Sequence, residues 1–344
     1  MEPVASPPPG YERVTADFTE GMPELVFYHR INAILGGTCS FIAIVNVFIF
    51  IGSAKFRKTY KVKNSKKIHK KLKFQILTAL AFADFINTVA MMTMGFNRQQ
   101  LYTRVMETLT IPIRNSLECA IEPWLWLKII GDLWPPVIQL CMGVERACSL
   151  LYPIFFREKV EKNSKGIIIC TILFVVISLG VGFSLAYVER IKPQKYYCGR
   201  KAAFSKGYGT FIYSTNVLCY CIGFFFNLIA YVKAVTLKKS TNRSNQLKKI
   251  RYYLFISFFS TFLVSVPNLI SLCSSWIKDV DDAISKPAVW MACINSAINP
   301  FVYFAFNREF RQRCLNLIEV GKETKLTVIG TTTLQKSTGC NRLM

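Results

Sequence analysis

The sequence predicts an all-α membrane protein, a seven-transmembrane helix bundle, on three observations. The chain of 344 residues is 52% hydrophobic and only 18% charged, too apolar for a pair of soluble domains. Seven stretches, 31–53, 74–96, 119–143, 166–188, 208–232, 252–275 and 288–306, contain only four Asp, Glu, Lys or Arg residues: Asp84, Glu122, Lys128 and Asp132. The formal net charge of +23, from 43 Lys+Arg against 20 Asp+Glu, is unevenly distributed between the segments that join these stretches.

Each stretch is about 19 to 25 residues long, enough for a tilted helix to cross a ~30 Å hydrocarbon core. The spans must be helical, because lipid offers no water to satisfy an open strand edge. The third is the least apolar, with three of the four charged residues and the pair Pro135-Pro136. Segments 54–73, 144–165, 233–251 and 307–344 carry 29 of the basic residues, and the segments on the opposite side carry 13. Basic residues mark the cytoplasmic side, so the N-terminus is expected outside and the tail inside, in the plasma membrane. Residues 1–30, with five acidic and two basic side chains and Pro7-Pro8-Pro9, lack the charged start and apolar core of a signal peptide. They read as a disordered extracellular segment, followed by a bundle over 31–306 and a cytoplasmic region over 307–344.

In a soluble chain, +23 would suggest a nucleic-acid partner. Here the cytoplasmic segments hold 29 basic and 6 acidic residues and the outer ones 13 and, with Glu122 counted at the outer face, 12. The charge therefore points to anionic inner-leaflet lipids, and no nucleic acid is expected. His29 and His69 fall on opposite sides of the membrane, which disfavours a histidine metal site. No Walker lysine loop, HExxH or GxSxG occurs, so no catalytic residue and no cofactor is expected. Of twelve cysteines, Cys119 and Cys198 lie at or beyond the outer boundary, with Cys273 near it at the end of span six. The remainder face the bilayer or the reducing side, and one bridge, Cys119 to Cys198, is expected.

Span seven ends Asn295-Ser-Ala-Ile-Asn299-Pro300-Phe-Val-Tyr303, followed by Phe-Ala-Phe-Asn-Arg-Glu-Phe310-Arg311. This resembles the NPxxY motif and the short amphipathic eighth helix of rhodopsin-like (class A) G-protein-coupled receptors. Pro300 lacks an N–H and weakens the helix there, while Asn299 can satisfy freed groups. Span two contains Leu80-Ala81-Phe82-Ala83-Asp84, similar to the family's LAxAD, and span one contributes Asn46. A carboxylate in mid-membrane costs roughly 2.5–3.5 kcal/mol on insertion scales and is expected to be paired or wet. Asp84 with Asn295, Ser296 and Asn299 forms a polar cluster for which sodium binding and a hydrated, protonatable carboxyl are the two readings. Pro135 replaces the serine that sodium sites of this family take from span three.

Val144-Glu145-Arg146-Ala147 with Tyr152-Pro153 is similar to the family's DRY region. The resemblance implies that Glu145 restrains Arg146 at rest. The second acidic restraint, at the base of span six, is Leu247 here, so a weakly locked state with basal signalling is expected. Pro267 and Tyr231 match family positions. Thr261 and Ser265 stand where its aromatic switch is usual, Gly223 stands where span five usually has proline, and span four lacks its tryptophan. These departures and the short N-terminal segment are most similar to nematode serpentine chemoreceptors of the Srsx kind. The resemblance implies an extracellular ligand, chemosensory or small-molecule, and a heterotrimeric G protein as partners. A neuropeptide receptor is the rival within the class, and a ligand-gated channel or transporter the rival outside it.

Lys128 and Asp132, four apart on one helix face, are the candidate ligand-binding pair. Either they neutralise one another, or Lys128 receives an acceptor from the ligand. A lysine at this position disfavours an amine, and Cys293 stands where opsins carry their lysine. The loop 189–207, with six basic residues, and Asp279, Asp281 and Asp282 give the outer mouth both signs. Pro135-Pro136 is either a hinge or a fixed kink. Cys314 is a candidate for palmitoylation. The outside assignment has a direct check: a glycosylation acceptor engineered into residues 1–30 is expected to be modified in cells, whereas Asn242-Arg-Ser, on the inner side, is not.

Overall fold

The computed structural model describes residues 7–59, 67–160, 163–194, 196–236, 244–273, 282–306, 310–312 and 314–315. Seven of its helices are long and apolar enough to cross a membrane. Spans one to five are Met22–Thr59, Lys67–Thr108, Pro123–Leu151, Ser164–Val188 and Lys206–Thr236. Span six comprises Ser244–Ser260, a π-helical turn Thr261–Ser265, and Val266–Cys273. Span seven is Asp282–Phe306. Large apolar side chains such as Ile177, Val188, Phe225 and Phe258 lie exposed on the outer surface, the arrangement of a protein whose solvent is lipid. Asn32, Asn46, Asp84, Asn87, Asn216, Asn227 and Asn299 are instead buried between helices.

Those polar groups tie the spans together. Trp290 Nε1 donates to Asn32 Oδ1 at 2.7 Å, joining spans seven and one. Trp134 Nε1 donates to Thr171 Oγ1 at 3.2 Å, joining three and four. The Tyr208 hydroxyl donates to the Ser178 carbonyl at 2.7 Å, joining five and four. Close backbone approach does the rest. A Cβ on Gly36 would lie 2.5 Å from Met92 N, and one on Gly143 would lie 2.6 Å from the carbonyl oxygen of Gly223. Small residues at such crossings let helices gain dispersion contact where no hydrophobic effect drives them together. Gly223, in place of the proline expected from the family pattern, is thus a packing residue between spans five and three.

At one end of the bundle the loops are ordered. Strand β1, Tyr11–Arg13, pairs antiparallel with β2, Thr110–Pro112. Strand β3, Arg114–Asn115, pairs with β4, Pro193–Gln194. Leu109, at φ 49°, turns the chain out of span two, and its carbonyl accepts from Val14 N at 2.9 Å. Asn115 caps the short helix Ser116–Ile121: its Oδ1 accepts from Glu118 N at 2.8 Å, and its own N–H donates to Glu118 Oε2 at 3.3 Å, the reciprocal capping box. The disulfide Cys119–Cys198 joins this helix to the loop after span four, the bridge expected from the cysteine positions.

Two expectations are corrected here. Residues 7–30 are not a disordered segment: they contain β1 and the first turns of span one, which begins at Met22. Met22 is buried with Tyr102 and Val105, and Val14, Leu25 and Tyr196 pack against them. Span two also continues past residue 96 to Thr108, because Tyr102 and Val105 have this small core to enter. The eighth helix falls mostly outside the described residues, and only 310–312 and 314–315 are seen in helical form. The tail beyond Leu315, the side chains of the loop 55–73, and those of Leu247, Asp279, Asp281 and Asp282 are also outside them.

The crossing of spans three and five predicts a contrast. Gly143→Ala is expected to lower the stability of the detergent-purified protein by roughly 1–3 kcal/mol, the usual cost of overpacking. Gly180→Ala, where an added Cβ meets nothing within 4 Å, is expected to leave the melting temperature unchanged or raise it slightly.

Candidate functional site

Below the ordered loops lies a cavity of about 430 Å³, within the range of small-molecule sites. Spans one, two, three, five, six and seven line it, together with the loop that carries Tyr196, Tyr197 and Arg200. Asp132 is its only described acidic lining residue. Lys128 Nζ lies 2.8 Å from Asp132 Oδ1, the pairing that i,i+4 spacing allows, and 3.4 Å from Asn87 Oδ1. The other carboxylate oxygen of Asp132 is taken by the Arg200 guanidinium, which also donates to the Tyr213 hydroxyl at 3.3 Å.

Arg200 was not singled out in the sequence, although a signal for it exists. Cys198 is two residues earlier and is bonded to Cys119 above span three, which forces this stretch of loop over the helix that carries Asp132. Arg98 was also missed, because it lies beyond the expected end of span two. It stands 5.3 Å from the Trp124 ring centroid and 5.5 Å from that of Tyr197. Its Nε is buried without a hydrogen-bond partner, and no carboxylate pairs with it among the described residues. Tyr196, whose hydroxyl is pushed up to about 12 by burial and then by Tyr102 and Tyr197, stays neutral at physiological pH and does not offset these cations.

From the cavity floor, polar contacts descend into the bundle. Asn87 Nδ2 donates to Ser296 Oγ at 3.1 Å, and Asn299 Nδ2 donates to Asp84 Oδ2 at 2.8 Å. Asn295 lines the cavity, and its Oδ1, like that of Asn299, is buried without a partner. A carboxylate with two orphaned amide oxygens is a donor set that suits a hard monovalent cation such as sodium, with Pro135 giving no side-chain oxygen. Tyr303 is buried, its ring 6.0 Å from Phe50 and 5.6 Å from Phe310. Pro300 lies inside span seven, and helix runs on to Phe306. Cys314 is half-buried and packs against the core.

Span six changes pitch at the two positions that lack the aromatic switch. The π-helical turn runs Thr261–Ser265, just before Pro267, which is buried and lines the cavity. Thr261 Oγ1 donates to the Ser257 carbonyl at 2.7 Å and reaches the Tyr220 carbonyl of span five at 3.2 Å. Asn268 Nδ2 donates to the Val264 carbonyl at 2.8 Å. Pro135 and Pro136 are buried within span three, which remains helical through both.

At the far end, the expected Glu145–Arg146 pair is not formed. Arg146 donates to Asn227 Oδ1 at 2.6 Å and stacks 3.4 Å over the Tyr253 ring. Glu145 is buried with Oε1 unpartnered. Consecutive helical residues point about 100° apart and do not face one another, so Arg146 turns to spans five and six while Glu145 turns away. Tyr231 is half-buried, one turn beyond Asn227 on span five.

Seven helices, a disulfide that ties the short helix before span three to the loop after span four, and an NPxxY-like end to span seven define a multi-pass membrane receptor of the seven-helix G-protein-coupled type. Residues 118–318 match the serpentine type 7TM GPCR chemoreceptor family Srsx, and the chain belongs to that family. This is a family of receptors and not of enzymes. No curated protein matches the chain.

Asp132 holds two cations, which predicts an asymmetry. Asp132→Asn strands both Lys128 and Arg200 and is expected to cost about 3–5 kcal/mol, as for a broken buried ion pair. Lys128→Met leaves the Asp132–Arg200 pair in place and is expected to cost clearly less. Thermal melts of the two purified variants make the comparison.

Proposed function

We propose that this protein is a plasma-membrane chemoreceptor, with its disulfide end outside, that binds a small extracellular molecule in the 430 Å³ cavity and activates a heterotrimeric G protein at the Arg146 end. The observation that supports this best is the run of polar contacts that starts at the cavity floor, where Lys128 meets Asn87 and Asn87 meets Ser296. It continues into the Asp84–Asn299 pair beside Pro300. In this reading Lys128 and Asp132 are ligand-site residues. A ligand that alters their pairing changes the free energy of span seven relative to spans two and three, as any differential contact must in order to shift a conformational equilibrium. Asp84, Asn295, Asn299, Pro300 and Tyr303 carry the change down. Pro267 and the π-helical turn let span six swing, and Glu145, Arg146 and Tyr231 form the surface the G protein reads. The basic inner segments hold this face against anionic lipid, and Cys314 is placed to add an acyl anchor.

A cavity of this size suits a small molecule better than a peptide, and a channel would need a water-filled path through the Asp84 layer. The test is expression with a panel of Gα reporters and a chemical library. Arg146→Ala is expected to abolish reporter activation while surface expression is kept. Asn227→Ala, which frees Arg146, is expected to raise ligand-independent signalling more than Glu145→Gln does. Ligand-evoked current in cells without functional G proteins, with silent reporters, would overturn the proposal.

A further inference from the structure

We infer that the ligands of this receptor are organic anions with an aromatic or apolar body, and that Arg98, not Lys128, is the residue that anchors the anionic group. The inference rests on the reading of the cavity as the ligand site and adds to it the chemical class of ligand.

The described cavity wall carries three cations, Arg98, Lys128 and Arg200, against one carboxylate, Asp132. Both oxygens of Asp132 are engaged, one by Lys128 and the other by Arg200. An incoming ammonium group would have to share an oxygen that a cation already engages, and the surplus positive charge repels it. Lys128 and Arg200 each already have a counter-charge, and an anion that took either would have to compete with Asp132. Arg98 has none among the described residues. Among the described residues it packs on the rings of Trp124 and Tyr197, contacts that do not use the in-plane N–H groups of the guanidinium. Its buried Nε lacks a partner, a deficit that a bound carboxylate corrects, because the Nε and Nη hydrogens form the fork that grips two oxygens at once. Arg98 and Arg200 line the same cavity, so an anion bound at Arg98 is attracted by both cations.

The remaining wall fits the body of such a ligand. Tyr28, Tyr102, Tyr197, Tyr213 and Tyr220 all border the cavity, which offers ring faces for stacking and hydroxyls for a second polar group. Val264, Pro267, Val289 and Ala292 supply apolar surface opposite.

The experiment uses the full-length receptor purified in detergent and measures thermal stabilisation by a matched set of aryl- and alkyl-carboxylic acids, their primary amides and the corresponding amines. Acids are expected to raise the melting temperature and amides and amines to leave it unchanged. Arg98→Gln is expected to weaken acid binding about 10- to 100-fold, the factor that loss of a charge-assisted hydrogen bond gives. Arg98→Lys, which keeps the charge, is expected to lose less, and it separates this effect from misfolding. Stabilisation by amines or amides equal to that by acids, undiminished acid binding by Arg98→Gln, or no acid that binds would each overturn the inference. Binding is read without a G protein, so acids that bind while every Gα reporter stays silent would count against the coupling proposal and leave this one standing.

Discussion

Inside a bilayer a polar side chain has no water to return to, and it must find its partner within the bundle. That constraint organises this receptor. Asp132, Lys128, Asn87, Asp84 and Arg146 are all deep in helices that lipid surrounds, and each is turned inward to a named neighbour. The same constraint explains why the loop after span four is brought down onto span three. Arg200 gives Asp132 its second counter-charge, and the disulfide one turn of chain away holds the loop in the place where that contact forms. The cavity is what remains between these pairings, and its surplus charge follows from them.

Coupling through such contacts is a matter of small differences. Hydrogen bonds between membrane helices average about 0.6 kcal/mol in stability and reach about 1.7, so each link from Lys128 to Asp84 is weak enough to be exchanged for another. A tryptophan switch would instead act by steric displacement. In span six that device is replaced by a π-helical turn, where a wider backbone and the Thr261 hydroxyl link span six to the Tyr220 carbonyl. Tyr220 borders the cavity, so this single bond connects a cavity-lining residue of span five to the π-helical turn of span six. π-turns recur at functional sites, and here the Asn268 side chain donates to the Val264 carbonyl within the turn.

What the sequence made legible follows the physics that acts along a helix. The spans were readable because lipid demands an uninterrupted apolar run of fixed length, and the bridge Cys119–Cys198 because only these cysteines sat clearly on the oxidising side. The i,i+4 spacing of Lys128 and Asp132 gave their contact directly. What could not be read depends on contacts far apart in sequence. Strand β1 has no strand-like pattern of its own and exists because Thr110–Pro112 offers an edge. Arg200 lay in a loop with five other basic residues and nothing local set it apart. Arg98 fell outside an apolar window that ended too early, since the outer turns of span two bury only one face. For Glu145 and Arg146, adjacency in sequence was read as adjacency in space, and helix geometry separates them.

The glycine at 223 shows how one departure from the family pattern bears on the Arg146 end of the bundle. Its lack of a side chain lets span three pass so close that a Cβ on Gly143 would overlap its carbonyl oxygen. That same carbonyl accepts the Asn227 amide at 2.8 Å, which orients Asn227 Oδ1 toward Arg146. Gly143 is one turn from Arg146 on the same helix, so the crossing sets the distance over which the arginine must reach. A larger residue at either position would separate spans three and five and lengthen the Arg146–Asn227 contact before anything at Arg146 itself was changed. The restraint on the arginine has thus moved from an acidic neighbour to a helix crossing. Its strength depends on packing more than on charge.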